Sequence, residues 1–533
     1  MSTMKDEVLE TFRQGFDEIP AIVGTGLPQL RRARYLLVQV QDASAARRWL
    51  RELLDSDVVH SLARVRAKGA PRRKKGEEGA KPARDVREMV TVAFSHAGLA
   101  VLGLEEDPQF PFPTPFRAGG ASALRRRLLG DADEPWQWGD VPETDAFQVH
   151  VFVAHYWSEH EVGEPLALLD PKRLPAGLRA LSVASCPSYI AAQGGDPAVF
   201  EPFGFRDGIG QPVIEGMGLS TAEKKSRDVS GRLFDDRLIQ PGEFVVGQAN
   251  EYGERAYCPN VQGWPRSASA ESGFARNGTY LAVRQIAQHV AVFNQFTSGH
   301  ATPLLGDRMV GRRKPDAACP HEAGYSVLDS ARPPEEIDAF RYLALDANGL
   351  ECPRGAHARR ANPRDALFQR VEDGIVSSKL HRLLRRGRVY SQGCTQGGNA
   401  DACPGHAQGR AGDTPCGRGL MFVALNTDFE RQFEFVQKSW IAGSRFGDLA
   451  DEQDPLLGTD PQRAFSVQGC PVGERIGPLP RRKAGRRLLL RAQPSGAALD
   501  GAGEGTGGAA ARLSPATCCC RAWPGSGRGC PAG

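Results

Sequence analysis

One local pattern recurs four times along the chain and limits what it can fold into. A short apolar run is followed by a polar break and then by a helix whose apolar residues lie three and four apart. The first copy is Tyr35-Leu36-Leu37-Val38, followed by a helix carrying Ala46, Trp49, Leu50 and Leu53. The second is Val90-Thr91-Val92-Ala93-Phe94, followed by Ser95 and a helical run to Leu104. In the other half, the run Gly278 to Val283 leads into a helix near Val290 and Phe293, and Leu420-Met421-Phe422-Val423-Ala424-Leu425 leads into another. In that last helix Thr427 and Glu430 have the spacing of a capping box, and Phe429, Phe433, Val436 and Trp440 fall on one face.

Strands alternating with single helices, two units per half, predict an α+β fold of two ferredoxin-like domains. Each is an antiparallel sheet with helices on one face, the pair related by duplication. Residues 1–200 form the expected N-terminal domain, 201–480 the C-terminal one, and 481–533 a disordered tail rich in Gly, Ala and Arg. With 533 residues, 41% of them hydrophobic, there is material for two such cores.

A net charge of +4, from 67 Lys and Arg against 63 Asp and Glu, is too small to make nucleic acid or a membrane surface the main partner. The N-terminus lacks the apolar core of a signal peptide, no apolar run is long enough to span a bilayer, and the cysteines from Cys186 to Cys470 show no paired spacing. A cytoplasmic protein is expected. Oligomeric state has no signature in the sequence. Residues 66–84, with Arg72-Arg73-Lys74-Lys75, read as a solvated insertion loop. Residues 392–419 read likewise, because Cys394, Cys403, His406 and Cys416 lie there without the Cys-x-x-Cys pair of a zinc site.

Three segments carry chemistry: Gly204-Phe205-Arg206-Asp207-Gly208 offers an acid, Cys352 to Asp365 an imidazole at His357, and His381 to Gly387 a run of arginines. Alone, Asp207 reads equally well as an Asx-turn residue, and a single histidine is more often a satisfied structural residue than a ligand. Together the three segments resemble the dye-decolorizing peroxidases, of the larger bacterial and fungal branch, over residues 20 to 480.

That resemblance implies one haem b per chain in the C-terminal half, hydrogen peroxide as oxidant, and bulky aromatic electron donors such as dyes, oxidised one electron at a time. It implies that Asp207 is the acid/base that moves a proton between the peroxide oxygens. Arg385 would stabilise negative charge on the departing oxygen. His357 would be the axial iron ligand, with His381 the second choice, and Asp454 the carboxylate behind it, Asp448 and Asp451 competing. Arg364 would pair a haem propionate, and Leu420 and Phe422, on one face of their strand, would line the distal pocket. Tyr390 would relay electrons from the surface, with Trp440 a weaker candidate. Arg382, Arg386 and Arg388 would contact solvent or propionate.

The chain also departs from the family pattern. Pro202 replaces a histidine ahead of Gly204, Arg354 and Ala358 replace apolar neighbours of His357, and Ser391 replaces a glycine after Tyr390. Past Pro480 the family's final Val/Thr-rich strand is replaced by Arg-, Gly- and Cys-rich sequence. Shifted by one base in GC-rich DNA, the stretch from Gly485 can encode Ala-Ala-Tyr-Phe-Phe-Val-Pro-Ser-Leu, so a frameshift near residue 481 is expected, with an open sheet edge as its consequence. Two rival readings stand: a haem-binding or iron-release protein in which peroxide chemistry is incidental, and an inactive remnant. An aspartate shuttle, of reference pKa about 3.9, predicts an acidic optimum.

Overall fold

The computed structural model describes residues 2–27, 30–66, 86–120, 122–131, 138, 147–158, 166–186, 200–217, 236–264, 273–314, 341–392, 417–458, 460, 463–468 and 474–476. Four apolar runs in the first half become strands: β1 (Arg32–Val40), β2 (Glu88–Phe94), β3 (Val151–Trp157) and β4 (Leu178–Cys186). They pair antiparallel in the order β2-β3-β1-β4, with the first and third strands central, as in ferredoxin-like sheets. The helix Ala43–Asp55 starts where the Asp42 carboxylate accepts the amides of Ser44 at 2.7 Å and Ala45 at 3.3 Å. It buries the expected stripe of Ala46, Trp49, Leu50 and Leu53. The helix after Ser95 ends at Val101 rather than at Leu104, and Gly103 follows with φ +83°.

Both faces of this sheet are buried, which its nearly unbroken apolar strands require. Leu36, Val38, Val90, Val92 and Val153 join Trp49 and Leu53 on one face. Tyr35, Leu37, Met89, Phe152 and Tyr156 pack on the other against Phe12, Phe16, Ile19, Ile22 and Val23 from the N-terminal segment.

A short parallel pair, β5 (Val213–Ile214) with β6 (Leu238–Ile239), precedes the second sheet. That sheet contains β7 (Tyr280–Ala287), β8 (Leu384–Arg385), β9 (Arg388–Gln392) and β10 (Gly417–Asn426). Central β10 pairs antiparallel with β7 on one side and with β8 and β9 on the other. An antiparallel ribbon of β11 (Phe465–Val467) and β12 (Glu474–Ile476) follows. Strand β4 runs alongside β9, and the two cores continue through both sheets. Tyr280, Ala282, Leu420, Phe422 and Ala424 extend one, and Leu281, Val283, Met421, Val423 and Leu425 the other. Among the described residues β7 pairs with β10 alone, although every residue of β7 is buried.

The helix after β10 differs from its sequence expectation in two ways. Its cap is Asp428, whose Oδ1 accepts the Arg431 amide at 3.0 Å, while Gln432 Oε1 accepts the amides of Thr427 and Asp428 at 3.0 Å each. Thr427 is unavailable because its hydroxyl donates to the Gly242 carbonyl at 2.6 Å, and Glu430 pairs with Arg125 at 2.9 Å. The turns are also wider than α-helical, Glu434 N–H bonding to Phe429 O at 2.7 Å and Ala442 N–H to Gln437 O at 3.0 Å, both five residues back. The extra residue per bond moves Val436 and Trp440 off the face shared by Phe429 and Phe433. They form a separate cluster with Ile441, Phe446 and Leu449.

Nearly all of the basic loop at 66–84, the cysteines Cys394, Cys403 and Cys416 with His406, and the tail at 481–533 lie outside the described residues. Among the described residues there is no group of three or more metal-ligating side chains, and no helix is long and apolar enough to cross a membrane.

Phe433 is buried in the core shared by the sheets, its ring 6.2 Å from that of Phe422. Phe433→Ala is expected to destabilise the protein by about 3–5 kcal/mol in urea unfolding.

Candidate active site

Buried histidines need partners for both nitrogens, and among the described residues His357 has one for only one. It opens the helix His357–Ala361 after a loop whose amides at Leu350, Glu351 and Cys352 are gathered by the Asp346 carboxylate at 2.8, 3.3 and 2.9 Å. Its Nδ1 lies 2.7 Å from Asp454 Oδ2, with both side chains fully buried. The other Asp454 oxygen accepts the amides of Leu456 at 2.9 Å and Leu457 at 2.8 Å, so the Asp454-Pro455-Leu456-Leu457 turn fixes the carboxylate. A carboxylate at Nδ1 keeps the proton there and leaves the lone pair on Nε2, the form of imidazole that binds metal. Nε2 is buried and, among the described residues, has no hydrogen-bond partner. Asp448 and Asp451 are 86% and 83% exposed and pair with Arg354 and Arg463 instead.

Beside this helix opens a small cavity. Ala361 and Asn362 line it from the end of the His357 helix, Val436, Trp440 and Ile441 from the wide helix, and Gly210, Arg385 and Phe422 from the sheet side. Arg360 ties the first two together. Its buried guanidinium donates to the carbonyls of Trp440 at 2.8 Å and Gly443 at 2.9 Å, closing the C-terminal end of the wide helix. A carboxylate-backed imidazole with an unpartnered Nε2 suits a metal-bearing cofactor such as haem.

Asp207 sits in a tight loop in which Gly204 has φ +93° and Gly208 φ +82°, values that favour glycine. Its Oδ1 accepts the Gly208 amide at 2.6 Å. Burial raises its pKa above the ordinary aspartate value, against the opposing charge of Arg385, the Gly208 amide and the charge of Arg388. The loop is stitched to the arginine segment. Arg385 donates through its guanidinium to Ile209 O at 2.7 Å and through its amide to Gln211 Oε1 at 3.1 Å, and Arg382 donates to Gly210 O at 3.0 Å. Strand pairing sets Arg385 opposite Ala424. Asp207 and Arg385 are thereby brought together from sites 178 residues apart in the chain (385 − 207).

The remaining expected residues divide. Phe422 lines the cavity, whereas Leu420 is buried in the core on the same strand face without reaching the cavity wall. Arg364 is buried and pairs with Asp236 at 2.9 Å, a carboxylate that also takes Arg341 at 2.7 Å. His381 lines the cavity with its ring stacked on Phe435 at 3.9 Å and its Nδ1 bonded to the Arg431 carbonyl. Tyr390 corrects the expectation of a surface relay. It is 1% exposed, because strand alternation turns Val389 toward Leu420 and Tyr390 toward the opposite core. Arg386 and Arg388 correct another expectation: they donate to Ile22 and Val23, and to Gly26 and Leu27, and so hold the N-terminal segment.

Sequence reasoning missed Arg360, one arginine among several in its segment, and also Glu201 and Gln288 near the Asp207 loop. Glu201 left a trace, being the lone acid in the aromatic run Phe200-Glu201-Pro202-Phe203-Gly204-Phe205.

No protein-family model matches the chain. Dye-decolorizing peroxidase msp1 of Mycetinis scorodonius is 29% identical over 388 residues, covering 70% of this chain and 66% of the relative. The dye-decolorizing peroxidase of Mycena epipterygia is 26% identical over 402 residues, covering 70% of this chain and 64% of the relative. The chain thus spans a little under two thirds of the length of these curated relatives. Among solved structures, a DyP-type peroxidase from Auricularia auricula-judae superposes with a TM-score of 0.60 at 20% identity, covering 87% of this chain and 94% of that one.

Asp454→Ala removes the acceptor for a buried Nδ1–H and is expected to cost about 1–3 kcal/mol in urea unfolding. Asp454→Asn, which keeps a carbonyl oxygen, is expected to recover part of that loss.

Proposed function

We propose, from the chain's homology to the dye-decolorizing peroxidases and its possession of their fold, that it is a haem peroxidase that reduces hydrogen peroxide and oxidises bulky aromatic donors in one-electron steps. The observation that carries this reading is the buried His357–Asp454 pair with its unpartnered Nε2, on the helix whose C-terminal end lines a cavity shared with Arg385. Haem b, one per chain, would be held through His357, with Arg364 the candidate for a propionate. When bound, it supplies the redox chemistry that splits peroxide and takes electrons from donors.

The protein's own residues do the rest. Asp454 holds the Nδ1 proton and makes Nε2 a stronger donor to a metal. Asp207, as a carboxylate, accepts the proton from the near oxygen of peroxide and returns it to the far oxygen, so that water leaves. Arg385 places a permanent cation where negative charge grows on the departing oxygen, and its bonds to Ile209 and Gln211 keep it oriented. Phe422 and Trp440 keep the cavity wall apolar and exclude water. Trp440 lines the cavity wall, whereas Tyr390 does not, which makes Trp440 the aromatic nearer the site for electron relay.

Reconstitution with haem followed by peroxide and a dye tests the reading. His357→Ala is expected to lose the Soret band of the loaded protein. Asp207→Asn and Arg385→Leu are expected to keep that band and to slow the reaction with peroxide by about 10²–10⁴-fold and 10²–10³-fold respectively. Release of intact iron-free porphyrin during turnover would favour the iron-release reading, and no Soret band in the unaltered protein would favour an inactive remnant.

The pH dependence has a defined sign. Asp207 accepts a proton only when ionised, so activity falls as pH drops through its pKa. Because burial raises that pKa, the acid limb is expected at a pH above the about 3.9 of free aspartate. A rate profile against pH for peroxide reduction checks this.

A further inference from the structure

The turn that presents Asp207 is built around a second carboxyl group. Phe200 and Arg206 face each other in an antiparallel bridge, the Glu201 amide donates to Phe205 O at 2.9 Å, and the Gly204 amide returns to Glu201 O at 2.8 Å. The Glu201 side chain folds into its own turn. Oε2 accepts the Phe203 amide at 2.9 Å, and Oε1 accepts the Phe205 amide at 2.8 Å. Gln288, immediately after β7, donates to Oε2 at 2.5 Å and joins the turn to the second sheet. Glu201 is only 4% exposed. Both backbone groups of Phe205, two residues before Asp207, are therefore held by Glu201.

We propose that Glu201 is a positioning residue for peroxide cleavage: its buried carboxyl clamps the Phe203–Phe205 backbone and so fixes where Asp207 is presented to Arg385. This rests on the reading of Asp207 as the proton shuttle. A backbone displacement of the order of 1 Å at a proton-transfer group costs about 100-fold in rate, so the clamp has kinetic weight.

The charges around the clamp give it a signature. Burial raises the Glu201 pKa to about 7, the Phe203 and Phe205 amides and Gln288 oppose the rise, and the charge of Asp207 adds to it. From the facing segment Lys314 sits over the rings of Phe205 at 5.0 Å and Phe293 at 5.3 Å; burial lowers its pKa, partly opposed by the charges of Asp307 and Glu201. Below pH 7 Glu201 therefore stands neutral beside Asp207. Above it, a second negative charge stands next to the shuttle and raises its proton affinity.

The test uses the haem-reconstituted full chain with hydrogen peroxide and guaiacol, comparing unaltered protein with Glu201→Gln, Gln288→Leu and Asp207→Asn. Amide exchange over residues 200–208 is measured alongside the pH profile. For Glu201→Gln, faster exchange at Phe203 and Phe205 is expected, with kcat/KM for peroxide reduced roughly 10- to 100-fold and KM for guaiacol unchanged. The ionisation at about 7 should disappear from the profile. In Gln288→Leu that ionisation should move upward, because a bond favouring the carboxylate is gone. If Glu201→Gln keeps the ionisation, or leaves the peroxide rate intact while exchange rises, the proposal is overturned. Should Glu201→Gln fail to take up haem, an unmoved ionisation in Gln288→Leu overturns it equally. If Asp207→Asn itself reacts at the unaltered rate, the shuttle reading fails, whereas a slow Asp207→Asn beside a normal Glu201→Gln removes only the clamp.

Discussion

The site depends on one buried hydrogen bond, 2.7 Å between His357 Nδ1 and Asp454 Oδ2. It settles the tautomer, and through it which nitrogen is left for a metal. The bond is possible because the Asp454 turn uses its second oxygen on two amides, so the carboxylate cannot swing away toward solvent. A buried imidazole nitrogen without a partner would otherwise cost stability. The proposed metal-binding role of His357 rests on that nitrogen.

Around that bond, the packing makes room. The helix after β10 widens to bonds spanning five residues, and this separates the Phe429 and Phe433 face from the Val436 and Trp440 face. One face completes the core under the sheets, and the other lines the cavity together with Arg385 and Phe422. A regular α-helix with the same residues would have directed all four side chains one way. Arg360 holds the widened end by its carbonyls, linking the cavity wall to the helix that carries His357.

Much of this was legible in the sequence, for identifiable reasons. Strand periodicity and the 3.6-residue stripe of Ala46, Trp49, Leu50 and Leu53 are local properties, and the sheets with their helix Ala43–Asp55 follow from them. The short motifs around Asp207, His357 and Arg385 also stand out, because glycine and charge at fixed spacing are visible without coordinates. Tyr390 was misplaced because period-two alternation says that neighbours face opposite ways but not which face meets water, and here neither does. The Thr427 cap failed for a similar reason: its hydroxyl bonds to the carbonyl of Gly242, 185 residues away.

The sequence by itself determined the kinds of element, the acid, imidazole and guanidinium available, and the turns at Gly204 and Gly208, since each depends on neighbours in the chain and on side-chain chemistry. Tertiary structure alone decided which aspartate backs His357, that Glu201 clamps the Asp207 loop, and that both faces of each sheet are buried. Burial and hydrogen-bond partnership are set by residues distant in sequence, and desolvation, which raises the pKa of both Asp207 and Glu201, exists only once the chain has closed around them.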